Sequence, residues 1–89
     1  MEIERRVVMA NQCREDLRWF ILNDPPSAVR MLKLIDAGVA EPFKGIGKPE
    51  PLKHWLAGCW SRRVNEVDRL VYQVKADRIE SLQGCYHYE

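Results

Sequence analysis

Glu50 stands between Pro49 and Pro51, with Lys48 before it and Lys53 after it, and Trp60-Ser61-Arg62-Arg63 and Asp68-Arg69 follow within twenty residues. Further on comes Tyr86-His87-Tyr88. RNA cleavage by a neighbouring 2′-hydroxyl needs a base for that proton, an acid for the departing 5′-oxygen, and cations for the charge that builds on phosphorus. Glu50 suits the base, since two prolines restrict the backbone around it. His87 suits the acid, because an unperturbed imidazole pKa of about 6.5 lets it hold or lose a proton near neutrality. Arg69 suits the phosphate clamp: a planar guanidinium offers two donors to nonbridging oxygens. Lys48, Lys53, Arg62 and Arg63 suit the positioning of RNA. Adjacent arginines on a strand face opposite ways, so at most one of Arg62 and Arg63 meets the scissile phosphate, and Arg63 is preferred. Tyr88 could stack on an unpaired base, whereas Tyr86 fits better as a core aromatic. Composition alone also allows plainer readings: a solvated Glu50 paired with Lys48 or Lys53, a packed or frayed His87, and a surface ion pair from Arg69 to Glu66 or Asp68. His54 reads as an exposed loop side chain and is left out of the site.

The rest of the chain must position these groups. Its 89 residues allow one domain, 1–89, with a modest core and no separate cofactor-binding module. With 46% hydrophobic and 30% charged residues, it belongs with compact folded proteins. No apolar run approaches the roughly 20 residues needed to cross a bilayer, and the first residues lack the apolar stretch of a signal peptide, so the cytosol is the expected compartment and no membrane partner is implied. Three cysteines, Cys13, Cys59 and Cys85, are too far apart for a C-x-x-C motif and read as reduced, mostly buried thiols. Neither a metal nor a cofactor is implied. The net charge of +1 hides a segregation: residues 42–63 hold five cationic side chains against Glu50 alone. Such a patch on a nearly neutral domain suits local phosphate contact but not strong binding to free nucleic acid, which needs many phosphate contacts at once.

Residues 3–9 read as a first strand, with Asn11 capping a helix over about 12–22 whose apolar face carries Leu17, Phe20 and Ile21. Asn23-Asp24-Pro25-Pro26 stops that helix and starts another, with Val29, Leu32, Ile35 and Val39 as its stripe and Gly38 as its end. The two helices should form a hairpin. Residues 41–51, rich in Gly and Pro, should hold no regular structure. The period then changes to two, and a turn at Ala76-Asp77 joins two strands. The expected fold class is α+β: an N-terminal strand and a two-helix hairpin packed on an antiparallel sheet. Strict alternation would leave Arg69 and His87 on opposite faces of the last hairpin; a bulge at Gly84 would bring them together.

In their order, Pro42-Phe43-Lys44-Gly45-Ile46-Gly47-Lys48-Pro49-Glu50-Pro51-Leu52-Lys53-His54, Trp60-Ser61-Arg62-Arg63, Arg69-Leu70-Val71-Tyr72 and Tyr86-His87-Tyr88 resemble the YoeB/Txe branch of the RelE-like bacterial toxins. The resemblance spans nearly the whole chain and is densest over 42–72. It implies a RelE-like fold and a ribosome-dependent mRNA endonuclease, with Glu50, Arg69 and His87 as catalytic residues. Cleavage of the codon in the ribosomal A site would leave a 2′,3′-cyclic phosphate and a 5′-hydroxyl. The implied partners are a YefM/Axe-type antitoxin, the small ribosomal subunit and mRNA, with operator DNA reached only through the antitoxin, and a toxin homodimer. Three residues depart from the family pattern: Asp68 replaces a histidine, Cys85 replaces a basic residue, and Glu89 extends past the usual terminal tyrosine. All three make the site less positive, and they motivate an alternative, a binding module that kept the fold without the cleavage.

Overall fold

The computed structural model describes residues 5–86. Strand β1 (Arg6–Met9) is followed by helices α1 (Asn11–Asn23) and α2 (Pro25–Ala40), then by β2 (Glu50–Pro51), a 3-10 turn (His54–Leu56), β3 (Cys59–Arg63), β4 (Arg69–Val74) and β5 (Arg78–Tyr86). The five strands form one sheet in the order β1-β5-β4-β3-β2. Its four later strands pair antiparallel, but β1 runs parallel to β5, from Arg6 opposite Arg78 to Met9 opposite Ser81. The sheet is therefore mixed, and the first and last strands lie side by side. Among the described residues, no helix is long and apolar enough to cross a membrane.

Several local expectations shift by a residue or more. Asn11 is the first residue of α1 rather than its cap, because the Arg14 amide already donates to the Ala10 carbonyl at 3.1 Å. Asp24 alone joins the helices. Its side chain accepts from Ser27 Oγ at 2.6 Å while its carbonyl accepts the Ser27 amide, and Pro25 opens α2 where a missing N–H costs nothing. The α2 stripe is half as expected: Ile35 is buried and Val39 packs against the core, but Val29 and Leu32 are exposed, and the buried side is Ser27, Ala28, Met31, Leu34, Ile35 and Gly38. Met31, Leu34 and Ile35 supply the bulk of the contact face, and Ser27, Ala28 and Gly38 between them are small enough for the helix to pack closely. Gly38 lies inside the helix, which runs on to Ala40. On α1, Phe20 is buried as expected, whereas Ile21 is exposed.

The helices cover one sheet face. There Cys13, Phe20, Met31 and Leu34 pack with Val64, Leu70, Tyr72 and Ile79. A smaller cluster on the other face, Leu52, Cys59 and Val71 with Leu56 and Leu82, seats the β2–β3 connection against the sheet. The Ala76-Asp77 turn forms as expected, with the Lys75 amide donating to Arg78 at 2.8 Å. Between β4 and β5 the register slips twice: Tyr72 lies opposite Ser81, Val71 opposite Gln83, and Arg69 opposite Tyr86. Gly84 sits in the second slip, but a further residue is inserted before it, so the single bulge expected to put Arg69 and His87 on one face is replaced by two, and Arg69 stands opposite Tyr86.

Candidate active site

Residues 41–51, expected to be irregular throughout, end in the short edge strand β2, whose Glu50 lies opposite Ser61 and Pro51 opposite Trp60. On the next strands Ser61 lies opposite Val71, and Arg63 opposite Arg69. Directly opposed residues share a face. Glu50, Ser61, Arg63 and Arg69 thus converge on the sheet face away from the helices. The Arg69 Nη1 donates to Ser61 Oγ at 3.2 Å and lies 3.6 Å from Glu50 Oε1. Its side chain is only 12% exposed, against 45% for that of Glu50. The guanidinium is therefore held from below by a buried hydroxyl, and the carboxylate beside it stays open to solvent. Arg69 thus has Glu50 beside it, a contact that the plainer reading of the sequence, an ion pair with Glu66 or Asp68, did not include. Ser61, fully buried, is a member of this group that the sequence reading passed over. Its signal was the alternation within Trp60-Ser61-Arg62-Arg63, which puts Ser61 and Arg63 on one side.

Arg63 is exposed and, with Arg69, Asn65, Glu66 and Val67, lines a small polar cleft of about 140 Å³ beside the pair. Lys48 and Lys53 are exposed on either side of β2. Arg62 corrects the expectation placed on it. It is 0% exposed on the helix face, where Nε donates to Tyr72 Oη at 3.1 Å, Nη1 to the Ile46 carbonyl at 2.9 Å, and Nη2 to the carbonyls of Glu41 and Lys44. With its donors turned inward, it fastens the loop and cannot reach RNA. Tyr72 Oη in turn donates a hydrogen bond to the Pro42 carbonyl at 2.7 Å, and the Arg63 amide donates to the Gly47 carbonyl at 2.6 Å. Burial raises the Tyr72 pKa, and the Arg62 guanidinium opposes that rise. Five loop carbonyls are thus tied down immediately before Glu50.

Asp16 is the second residue that the sequence did not single out. This α1 carboxylate is 7% exposed, and its Oδ2 accepts the amides of Gly84 at 2.8 Å and Cys85 at 3.3 Å, while Gln12 Nε2 donates to Oδ1 at 2.8 Å. These are amides at the second register slip of β5, which Asp16 therefore fixes to the helix. Burial, and then the Asp16 and Asp68 carboxylates, push the Cys85 thiol up to about 12; burial and Asp16 push Cys13 up to about 11. Asp68, one of the departures from the family pattern, takes part in the β3–β4 turn, where its Oδ2 accepts from Asn65 Nδ2 at 3.1 Å. A larger cleft, of about 560 Å³, lies beside α1 between Trp19, Val67 and Cys85, but Glu15, Asp16 and Asp68 also line it. Its charge has the wrong sign for phosphate. Among the described residues no three His, Cys, Asp or Glu side chains converge as a metal site would require. His87 and Tyr88 lie outside the described residues.

Residues 9–88 match the family model of the YoeB-like toxin of bacterial type II toxin-antitoxin systems. The chain belongs to this family. It is 49% identical over 75 residues to Toxin YoeB of Synechocystis sp., covering 83% of this chain and 86% of that protein. The YoeB dimer from Staphylococcus aureus superposes with a TM-score of 0.88 at 35% identity, over 96% of this chain and 99% of that one. The toxin in a heterotetrameric YoeB-YefM complex from Staphylococcus aureus gives a TM-score of 0.83 at 35% identity, over 94% and 98%. The YoeB-like fold thus carries Glu50, Ser61 and Arg69 on its uncovered face.

Proposed function

We propose that this YoeB-like chain is a ribosome-dependent mRNA endoribonuclease that cleaves the codon exposed in the A site and so stops translation. The contact of the Arg69 guanidinium with Glu50, 3.6 Å apart on an open sheet face, is the observation that carries this reading. In the reaction Glu50 takes the proton of a 2′-hydroxyl, whose oxygen attacks the adjacent phosphorus. Arg69, steadied by Ser61, takes up the charge on the nonbridging oxygens; because its side chain is already ordered, little reorganisation is required as that charge develops. His87 gives a proton to the departing 5′-oxygen. The products are a 2′,3′-cyclic phosphate and a 5′-hydroxyl. Arg63, Lys48, Lys53 and Tyr88 hold the RNA around the reacting bond.

The small cationic patch accounts for a dependence on the ribosome, which would supply the contacts that free mRNA cannot. A YefM-type antitoxin is the proposed inhibitor, laying an acidic, partly apolar segment over residues 42–63 and the Tyr86-His87-Tyr88 segment; operator DNA is reached only through it. A homodimer is the proposed resting assembly. The test is a translation reaction with purified protein, in which 3′ ends of ribosome-bound mRNA are mapped. Cleavage at A-site codons by the wild type, reduced about 100-fold or more in single turnover by Glu50→Gln and by Arg69→Ala, is expected. Intact message with folded protein would overturn the proposal. Growth arrest kept equally by both variants would favour a binding module that plugs the ribosome without cutting.

A further inference from the structure

Trp55 is 85% exposed, more than any other large apolar side chain among the described residues. A single exposed apolar residue is ordinary on a protein surface, so its setting has to decide whether it means anything. The turn that carries it is anchored. Leu52 and Leu56 on either side pack into the second core cluster against Cys59 and Val71. The Leu52 amide donates to Cys59 at 2.9 Å, Leu56 to Lys53 at 3.2 Å, and Ala57 to His54 at 3.0 Å. His54 adopts φ +58, a left-handed conformation unfavourable for a residue with a side chain, and Gly58 at φ +94 closes the turn. A turn held this firmly, with one flank of Trp55 packed inward, fixes the indole outward instead of leaving it on a floppy loop.

The surroundings carry positive charge and no negative charge close in sequence. Lys53 precedes the indole by two residues, residues 51–65 contain no carboxylate, and Lys75 lies near enough to Cys59 to oppose the rise that burial gives its thiol pKa. The turn also continues directly from the strand that holds Glu50. Lys53 follows Glu50 at the third position, about 10 Å of extended chain. A nucleic acid whose phosphate lay at Glu50 and Arg69 would have its neighbouring nucleotides within reach of this indole. Flat aromatic faces next to cations suit unpaired bases, because every base has a face to stack and every phosphate a charge to pair.

We propose that Trp55, flanked by Lys53 and His54, is a stacking platform for an unpaired nucleobase of the RNA that occupies the Glu50–Arg69 site. The proposal rests on the nuclease reading above. The base could belong to mRNA or to ribosomal RNA, and the experiment has an arm for each. Trp55→Ala, Trp55→Phe and Trp55→Leu are compared with the wild type for cleavage on programmed ribosomes, and for binding to ribosomes with and without mRNA. Loss of one stacked base corresponds to roughly a 10-fold change. Expected is a rise in KM of about that size for Trp55→Ala, with kcat and thermal midpoint nearly unchanged, recovery in Trp55→Phe, and none in Trp55→Leu. Weakened binding only when mRNA is present assigns the base to mRNA; weakening on vacant ribosomes assigns it to ribosomal RNA. Unchanged KM and binding in Trp55→Ala, with an active wild type, overturns the platform. So does recovery by leucine, which would mark an ordinary apolar contact with protein. Should the wild type cut nothing, the nuclease reading fails, while the two binding arms still decide whether Trp55 stacks.

Discussion

The guanidinium of Arg62 and that of Arg63 leave the same strand in opposite directions, and the two should respond differently to removal. Arg62 satisfies three loop carbonyls and the Tyr72 hydroxyl inside the protein. Its replacement leaves those acceptors buried without a donor, so Arg62→Met should lower stability by about 3 kcal/mol. A lower urea midpoint together with protease cuts within 41–47 would show it. Arg63→Ala should leave the urea midpoint nearly unchanged and raise KM on programmed ribosomes several-fold. Gly47 is the other fixed point of that loop. Its φ of +83 disfavours a side chain, and a Cβ there would stand 2.6 Å from Leu34 Cδ2 and 3.1 Å from Arg62 Cβ. Gly47→Ala should therefore cost about 2 kcal/mol, read as a shift in denaturant midpoint at constant m.

Among the elements, β5 is fastened to α1 by a single side chain, Asp16. Its second slip frees the amides of Gly84 and Cys85 from the regular ladder, and Asp16 accepts both. A Cβ on Gly84 would meet Met31 at 2.7 Å, so the strand approaches α2 closely just where α1 holds it. Asp16→Ala should lower stability by about 2 kcal/mol and speed hydrogen exchange at Gly84 and Cys85 more than in β3. Uniform acceleration across the sheet would mean that Asp16 stabilises the fold as a whole and not this segment. The element order, the helix junction at Asp24 and the Ala76-Asp77 turn were legible in the sequence because proline, glycine and a change of period mark them locally. The parallel pairing of β1 with β5 was not, since no local signal reports which distant strands meet. Glu50 and Arg69 were legible as types in a motif, but their direct contact, and the seat of Arg69 on Ser61, required the register. Asp16 was invisible because a carboxylate in a helix ordinarily faces water, and only the slip in β5 provides the amides that make its burial tolerable.

For the molecule as a whole, the buried thiols set a limit at high pH. In the unfolded chain Cys13 and Cys85 ionise near the ordinary value of 9.0, while in the folded protein they hold their protons to about 11 and about 12. Above pH 9 the unfolded state therefore binds fewer protons than the native one, and stability should fall as pH rises until the native thiols ionise too. Urea midpoints measured between pH 8 and 11 check this; Cys13→Ala and Cys85→Ala should each flatten the slope. A different consequence follows from the place of β5, the last described strand in the chain and, among the described residues, the sheet neighbour of β1. A chain is synthesised from its first residue onward, at roughly 5–20 residues per second. Until residues 78–86 have left the ribosome, β1 has nothing to pair with, Asp16 has no amides to hold, and Arg69 lacks the strand opposite it. The strands that carry Glu50, Ser61 and Arg69 can pair with one another earlier, but the sheet cannot close, nor β1 join it, before β5 emerges. The delay in closing the sheet is written into the order of its strands.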